Sequence, residues 1–125
     1  MAVILILDTS AIVEILRGSQ KGKEIVGNFL NEDAAISAFS AYELLWSRPE
    51  KEREILEFVK RFNVLNFELE QSIKAAEIKR ILKNKGITIN EVDIFIASIA
   101  IMAGFLLVSC DKDFKKIPGL KARIF

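Results

Sequence analysis

Two short runs of branched apolar residues, Val3–Leu7 and Phe105–Ser109, set the tightest limit on how this chain can fold. Neither alternates with polar residues. Each therefore reads as a strand covered on both faces, the pattern of a parallel sheet held between layers of helix. Asp8 closes the first run and Asp111 follows the second. Two more acids stand at comparable points: Glu43 opens a helix after Ala34–Ser37, and Asp93 opens the helix Asn90–Ala103. Open α/β folds bind ligands at the carboxyl rim of the sheet. Four acids gathered there repel one another unless a cation holds them together, and a divalent metal is the first candidate.

The rest of the chain alternates in the same way. Thr9–Leu16 reads as a helix ended by Gly18, and Lys21–Leu30 as a second, with Ile25, Val26, Phe29 and Leu30 apolar. Ala35–Ser37 is a short strand, and Ser40–Trp46 a helix that stops before Pro49. Glu50–Phe62 is amphipathic, with Ile55, Phe58, Val59 and Phe62 on one face. Val64–Phe67 gives a third strand and Leu69–Asn84 a long helix stopped by Gly86. Asn90–Ala103 is apolar nearly all round, so it is expected as a buried helix with Gly104 at its C-cap. Ala122–Phe125 supplies a fifth strand at the edge. This alternation specifies an α/β fold, a three-layer α/β/α sandwich with a central parallel sheet of four to five strands. Right-handed crossovers then bring the strands' C-terminal ends to one edge. Residues 1–125 are expected to form a single domain, with no repeat or linker.

The absence of histidine from all 125 residues removes His-based acid–base hydrolysis and Ser-His-Asp triads. The one cysteine, Cys110, has no histidine to activate it. It also excludes an internal disulfide and suits a reducing cytoplasm, where it is expected as an inert packed thiol. No secretory signal is expected, since no basic segment precedes the first apolar run. Ile94–Val108, the longest uncharged stretch, is too short to span a bilayer, so no membrane partner is expected. Basic and acidic side chains number 18 and 17. Setting the four named acids aside leaves thirteen against eighteen, with the bases clustered at Arg17/Lys21/Lys23, Lys60/Arg61, Lys79/Arg80/Lys83/Lys85 and Lys112/Lys115/Lys116. A basic surround to an acidic centre suits a polyanionic substrate. Glu70/Lys74 and Glu77/Arg80, at helical spacing, fit ordinary solvated faces instead.

Local roles compete for each acid. Asp8 can cap the first helix and Asp111 a short turn, Ser40-x-x-Glu43 matches a capping box, and Asn90-x-x-Asp93 is a looser version. Asp8 stands apart, because a charge ending a central apolar strand is costly unless paired or metal-bound. Hard Mg²⁺ or Mn²⁺ prefers oxygen ligands and keeps several waters, so a few carboxylates suffice.

Four pieces occur in order across nearly the whole chain: Leu7-Asp8-Thr9-Ser10; Ile36-Ser37 with Tyr42-Glu43-Leu44; Asp93-Ile94-Phe95-Ile96-Ala97; and Ser109-Cys110-Asp111-Lys112-Asp113-Phe114 trailed by Ile117-Pro118-Gly119-Leu120. Together they resemble the PIN-domain family, specifically its small VapC-like toxin ribonucleases. Ser109 stands where threonine is common in that family, and both carry a hydroxyl. The resemblance implies a metal-dependent endoribonuclease, the toxin of a type II toxin–antitoxin pair, that leaves a 5′-phosphate and a 3′-hydroxyl. Asp8 is then the central ligand, with Asp93, Asp111 and Glu43 completing the sites directly or through water. Asp113 lies at or just behind Asp111. One ion activates a water and a second, roughly 4 Å away, stabilises the leaving oxygen. Thr9, Ser10 and Ser109 are candidates to hold a ligand carboxylate or the scissile phosphate, or to cap and turn the chain. Tyr42 and Trp46, one turn apart, are expected in the core or a subunit contact, with base stacking as the alternative. The resemblance further implies a homodimer and an antitoxin whose arginine or lysine faces the acids. The alternative is a PIN-like module that binds RNA or a partner without cutting. A receiver domain lacks its adjacent acidic pair here, and a haloacid-dehalogenase phosphatase lacks its second aspartate, position 10 being serine.

Overall fold

The computed structural model describes residues 4–29 and 31–125, so Val3 and Leu30 of the expected elements lie outside the described residues. Five strands, β1 (Ile4–Leu7), β2 (Asp33–Ser37), β3 (Asn63–Leu65), β4 (Leu106–Ser109) and β5 (Ala122–Ile124), form one sheet in the order β3-β2-β1-β4-β5. All four pairings are parallel. Among the described residues six helices accompany them: α1 (Thr9–Arg17), α2 (Gln20–Phe29), α3 (Ala38–Ser47), α4 (Glu52–Val59), α5 (Leu69–Asn84) and α6 (Glu91–Ala103). Short 3₁₀ turns cover Pro49–Lys51 and Lys112–Lys116.

The alternation of side chains along β1 and β4 divides the core in two. Ile6 and Leu107 join Ala75, Ile78 and Leu82 of α5 and Ile94, Ile96, Ala97 and Ala100 of α6. Leu5, Leu7 and Val108 point the other way, onto Ala11 and Ile12 of α1, Ile25 of α2, Leu44 of α3 and Ile55 and Val59 of α4. This is the expected three-layer sandwich. The chain leaves β1 toward β2 and β3, then returns across the sheet through α5 and α6 to β4. The strand order therefore reverses between β1 and β4, and such a reversal opens a crevice at the carboxyl ends.

Several boundaries differ from the sequence reading, each for a local reason. Helix α3 starts at Ala38, because the hydroxyl of Ser37 accepts the Ser40 N–H at 3.0 Å and caps it. Glu43 is consequently inside the helix, and the capping box at Ser40-x-x-Glu43 does not form. The stretch Glu50–Phe62 is broken: Pro49 opens a 3₁₀ turn, and α4 proper runs only from Glu52 to Val59. Strand β3 begins one residue earlier than expected, pairing Asn63 with Ala35, and ends at Leu65. Strand β2 gains Asp33 and Ala34, which register with Ile4 and Leu5. Lys74 pairs with Glu77 at 3.5 Å and not with Glu70. Gly104 closes α6 as expected, with φ of 72° that a side chain would resist. Gly22 has a different task. A Cβ there would lie 2.1 Å from the Glu14 carbonyl oxygen, so only glycine lets α2 pack this closely on α1. No helix among the described residues is long and apolar enough to cross a membrane.

Candidate functional site

β1 and β4 are neighbours in the sheet, with Leu7 opposite Val108. Their ends therefore lie side by side although about 100 residues separate them in sequence. Asp8 leaves β1 with only 4% of its surface exposed. It caps α1 by accepting the Ala11 N–H on Oδ1 at 3.1 Å. The capping reading and the buried-charge reading are thus both true of it. Ser10 donates to the same oxygen at 2.8 Å, and Ser109, from the end of β4, donates to Oδ2 at 2.9 Å. The serines are themselves fixed by the turn after β4: Cys110 N–H donates to Ser10 Oγ at 3.0 Å and Asp111 N–H to Ser109 Oγ at 2.9 Å.

The other acids arrive by separate routes. Thr9 in the first turn of α1 donates to Glu43 Oε1 at 2.7 Å and lies 3.0 Å from Ser40 Oγ. Asp111 caps the 3₁₀ turn by accepting the Asp113 N–H at 2.9 Å. Asp113 is half-exposed and tied to Lys116 at 3.0 Å. Asp93 is the third residue of α6, whose cap is Asn90 accepting from Val92 N–H; the looser capping box involving Asp93 does not form.

The electrostatics show that these groups share one region. Burial raises the Asp93 carboxyl to about 7, and the negative charges of Asp111, Asp8, Glu43 and Asp113 push in the same direction. Asp8 is also raised, first by burial and last by Asp111, while the Ala11 N–H and the two serine hydroxyls pull it down. Among the described residues, no lysine or arginine forms an ion pair with Asp8, Glu43, Asp93 or Asp111. The repulsion is therefore not neutralised by an ion pair among the described residues. Nor do three of the described carboxylates close on a common point ready to enclose an ion. The arrangement is open, and an ion that keeps several of its waters suits it better than one needing a closed cage. The donor set, all hard oxygen, fits Mg²⁺ or Mn²⁺.

The lone thiol plays no part in such chemistry. Cys110 is free and half-buried, and burial pushes it up, further from the thiolate. Tyr42 and Trp46 do not enter the core; they are 64% and 69% exposed. Sequence reasoning missed two participants, Ser40 beside Thr9 and Lys116 on Asp113. Lys116 was legible as an i, i+3 partner of Asp113. Ser40 was not, because its role depends on a contact 31 residues away.

Comparison with known proteins adds three findings. The family profile described as PIN domain matches residues 5–120. Ribonuclease VapC1 of Rickettsia felis is 34% identical over 127 residues, covering 94% of this chain and 92% of its own. Among solved structures, VapBC2 from Rickettsia felis bound to a promoter DNA fragment superposes with a TM-score of 0.81 at 27% identity, over 98% of both chains. DNA-bound VapBC from Salmonella typhimurium gives 0.82 at 25% identity, again over 98% of both.

Proposed function

The chain belongs to the PIN-domain family, and from that premise we propose that it is a metal-dependent endoribonuclease, the toxin of a toxin–antitoxin pair. One observation supports the reading: burial, with the negative charges of Asp111, Asp8, Glu43 and Asp113 beside it, raises Asp93 to about 7, and among the described residues no lysine or arginine pairs with Asp8, Glu43, Asp93 or Asp111. An ordinary structural site would supply a lysine or arginine. The chemistry supplied by bound Mg²⁺ or Mn²⁺, one ion or two, is Lewis acidity toward water and the phosphodiester.

The side chains divide the work. Asp8, held by three hydrogen bonds, is the fixed point of the ligand set. Glu43, Asp93 and Asp111 complete it, directly or through water. Asp113 stands behind them, its carboxylate engaged by Lys116. Thr9 orients Glu43, while Ser10 and Ser109 orient Asp8. Lys21, close enough to Cys110 to act on its thiol, and the exposed Lys112 and Lys115 give the strand's phosphates a cationic approach.

The partners follow from the same reading. Solved structures similar to this chain include VapBC complexes, so an antitoxin bringing an arginine or lysine to the acids is the expected inhibitor. Tyr42 and Trp46 on α3 and Leu69 and Ile73 on α5 are all at least 60% exposed. Phe39 packing on Phe67, ring centroids 5.3 Å apart, brings the starts of those helices together. These exposed apolar side chains are the candidates for a homodimer surface. The protein acts in the reducing cytoplasm, where Cys110 stays a thiol.

The test is cleavage of mixed RNA pools by purified protein with Mg²⁺, with Mn²⁺ and with chelator, followed by analysis of the ends. Metal-dependent cuts with 5′-phosphates, abolished by Asp8→Asn, are expected. RNA bound but uncut by wild type under every metal condition would leave a binding module in place of an enzyme.

A further inference from the structure

We propose that Ser10 selects the ion accepted by the acidic rim, by leaving Asp8 only one oxygen to offer. The inference rests on the metal-site reading above and deepens it. A carboxylate has about four acceptor positions, two on each oxygen. On Asp8 Oδ1, the Ala11 N–H at 3.1 Å and the Ser10 hydroxyl at 2.8 Å occupy both. On Oδ2, the Ser109 hydroxyl at 2.9 Å occupies one. The single position left is on Oδ2.

Ser10 cannot easily turn away. Its oxygen receives the Cys110 N–H at 3.0 Å and lies 3.2 Å from Ser109 Oγ, so the exit of β4 fixes its acceptor side and its proton faces Asp8. Its backbone is locked in the first turn of α1. The occupied oxygen is thus a property of the folded chain, set before any ion arrives.

Denticity separates the common divalent ions. Ca²⁺ takes six to eight oxygens and often both oxygens of one carboxylate, whereas Mg²⁺ holds near-octahedral geometry with single oxygens and water. Mn²⁺ shares the octahedral, oxygen-rich preference. Confining Asp8 to one oxygen costs Ca²⁺ a ligand and costs Mg²⁺ or Mn²⁺ nothing. Ser10→Ala reopens a position on Oδ1 and permits two-oxygen binding. Ser109→Ala frees a position only on Oδ2, which already has one, and does not create that mode.

This asymmetry supplies the test. Mn²⁺ and Ca²⁺ dissociation constants are measured by titration calorimetry for wild type, Ser10→Ala, Ser10→Thr and Ser109→Ala, with circular dichroism to verify folding. Loss of an orienting partner typically changes metal affinity by about 10–100-fold. The ratio of the Ca²⁺ to the Mn²⁺ constant is expected to fall about tenfold in Ser10→Ala. It should recover in Ser10→Thr, which keeps the hydroxyl, and stay near wild type in Ser109→Ala even if both constants weaken. Should Ser10→Ala not fold, Ser10→Cys replaces it, with a weaker donor and a smaller fall. An unchanged ratio in the Ser10 variants, or an equal fall in Ser109→Ala, overturns the role of Ser10 while Mn²⁺ binding still supports the site. Wild-type protein that binds neither ion overturns both.

Discussion

Replacing Asp8 by asparagine is expected to make the metal-free protein more stable. The buried network accepts the change without losing a bond. Asparagine Oδ1 keeps the Ala11 N–H and the Ser10 hydroxyl. Its amide nitrogen donates to Ser109 Oγ, whose own proton turns to Ser10 Oγ, 3.2 Å away. Asparagine also caps a helix about as well as aspartate. What disappears is a buried negative charge that burial and Asp111 already disfavour.

The gain can be bounded from Asp93. A rise from 3.8 to about 7 is roughly three pKa units, or about 4 kcal/mol at 1.36 kcal/mol per unit. Asp93 is only half-buried, and solvent screening cuts this to about 2 kcal/mol. Burial and Asp111 outrank Asp8 among its causes, so removing Asp8 returns on the order of 0.5 kcal/mol through Asp93. Relief of the charge on Asp8 itself adds in the same direction, so Tm is expected to rise by at least about 2 °C for a chain of this size. Thermal melts in chelator at pH 7.5 measure it. A fall of more than a few degrees would refute the reasoning, since it would mean that a cationic group of the protein balances Asp8.

Metal and pH should act in opposition. Asp93 and Asp8 are both raised, so their contribution to stability is full below 3.8 and is lost as pH rises through the folded values, near 7 for Asp93. The chelated protein should lose Tm from this source between pH 5 and 8, and saturating Mn²⁺ should restore it at pH 8 and do little at pH 5; a metal-indifferent melting curve would count against the site. Gly22→Ala should cost about 1–3 kcal/mol in denaturant unfolding, because its Cβ would meet Glu14 backbone at 2.1 Å and push α2 off α1. Trp46→Lys should shift sedimentation from dimer to monomer without lowering the melting temperature of the monomer, Trp46 being 69% exposed.

The layers of this fold were legible because burial on two faces and burial on one leave different patterns. Val3–Leu7 and Phe105–Ser109 carried the first and Glu50–Phe62 the second. What the pattern could not convey was choice among equivalent local signals. Ser37 and Ser40 stand three apart and either can cap a helix; the register of β2 with β1, running through Ile36, puts the turn at Ser37, so Ser37 caps. The error moved Glu43 from a helix start to a helix interior, yet kept it near the rim, because α3 begins there too. Contacts across 31 to 101 residues, such as Thr9 with Ser40 and Ser109 with Asp8, left no local trace. They follow from strand order, which depends on crossover direction.

The hydrogen bonds also divide the acids into two kinds. Asp8 receives three donors, Glu43 receives Thr9 and Asp111 receives the Asp113 N–H. These bonds fix the oxygens in place, and on Asp8 they oppose the rise that burial causes. Among the described residues Asp93 receives none, so burial and its four acidic neighbours act on it unopposed. A cluster of like charges sheds part of its repulsion by keeping a proton where ionisation is least supported. Asp93 is that place, so in the proposed metal site an entering cation would compete with its proton. In the proposed metal site the three hydrogen-bonded acids would form a fixed frame, and Asp93 would couple occupancy to pH.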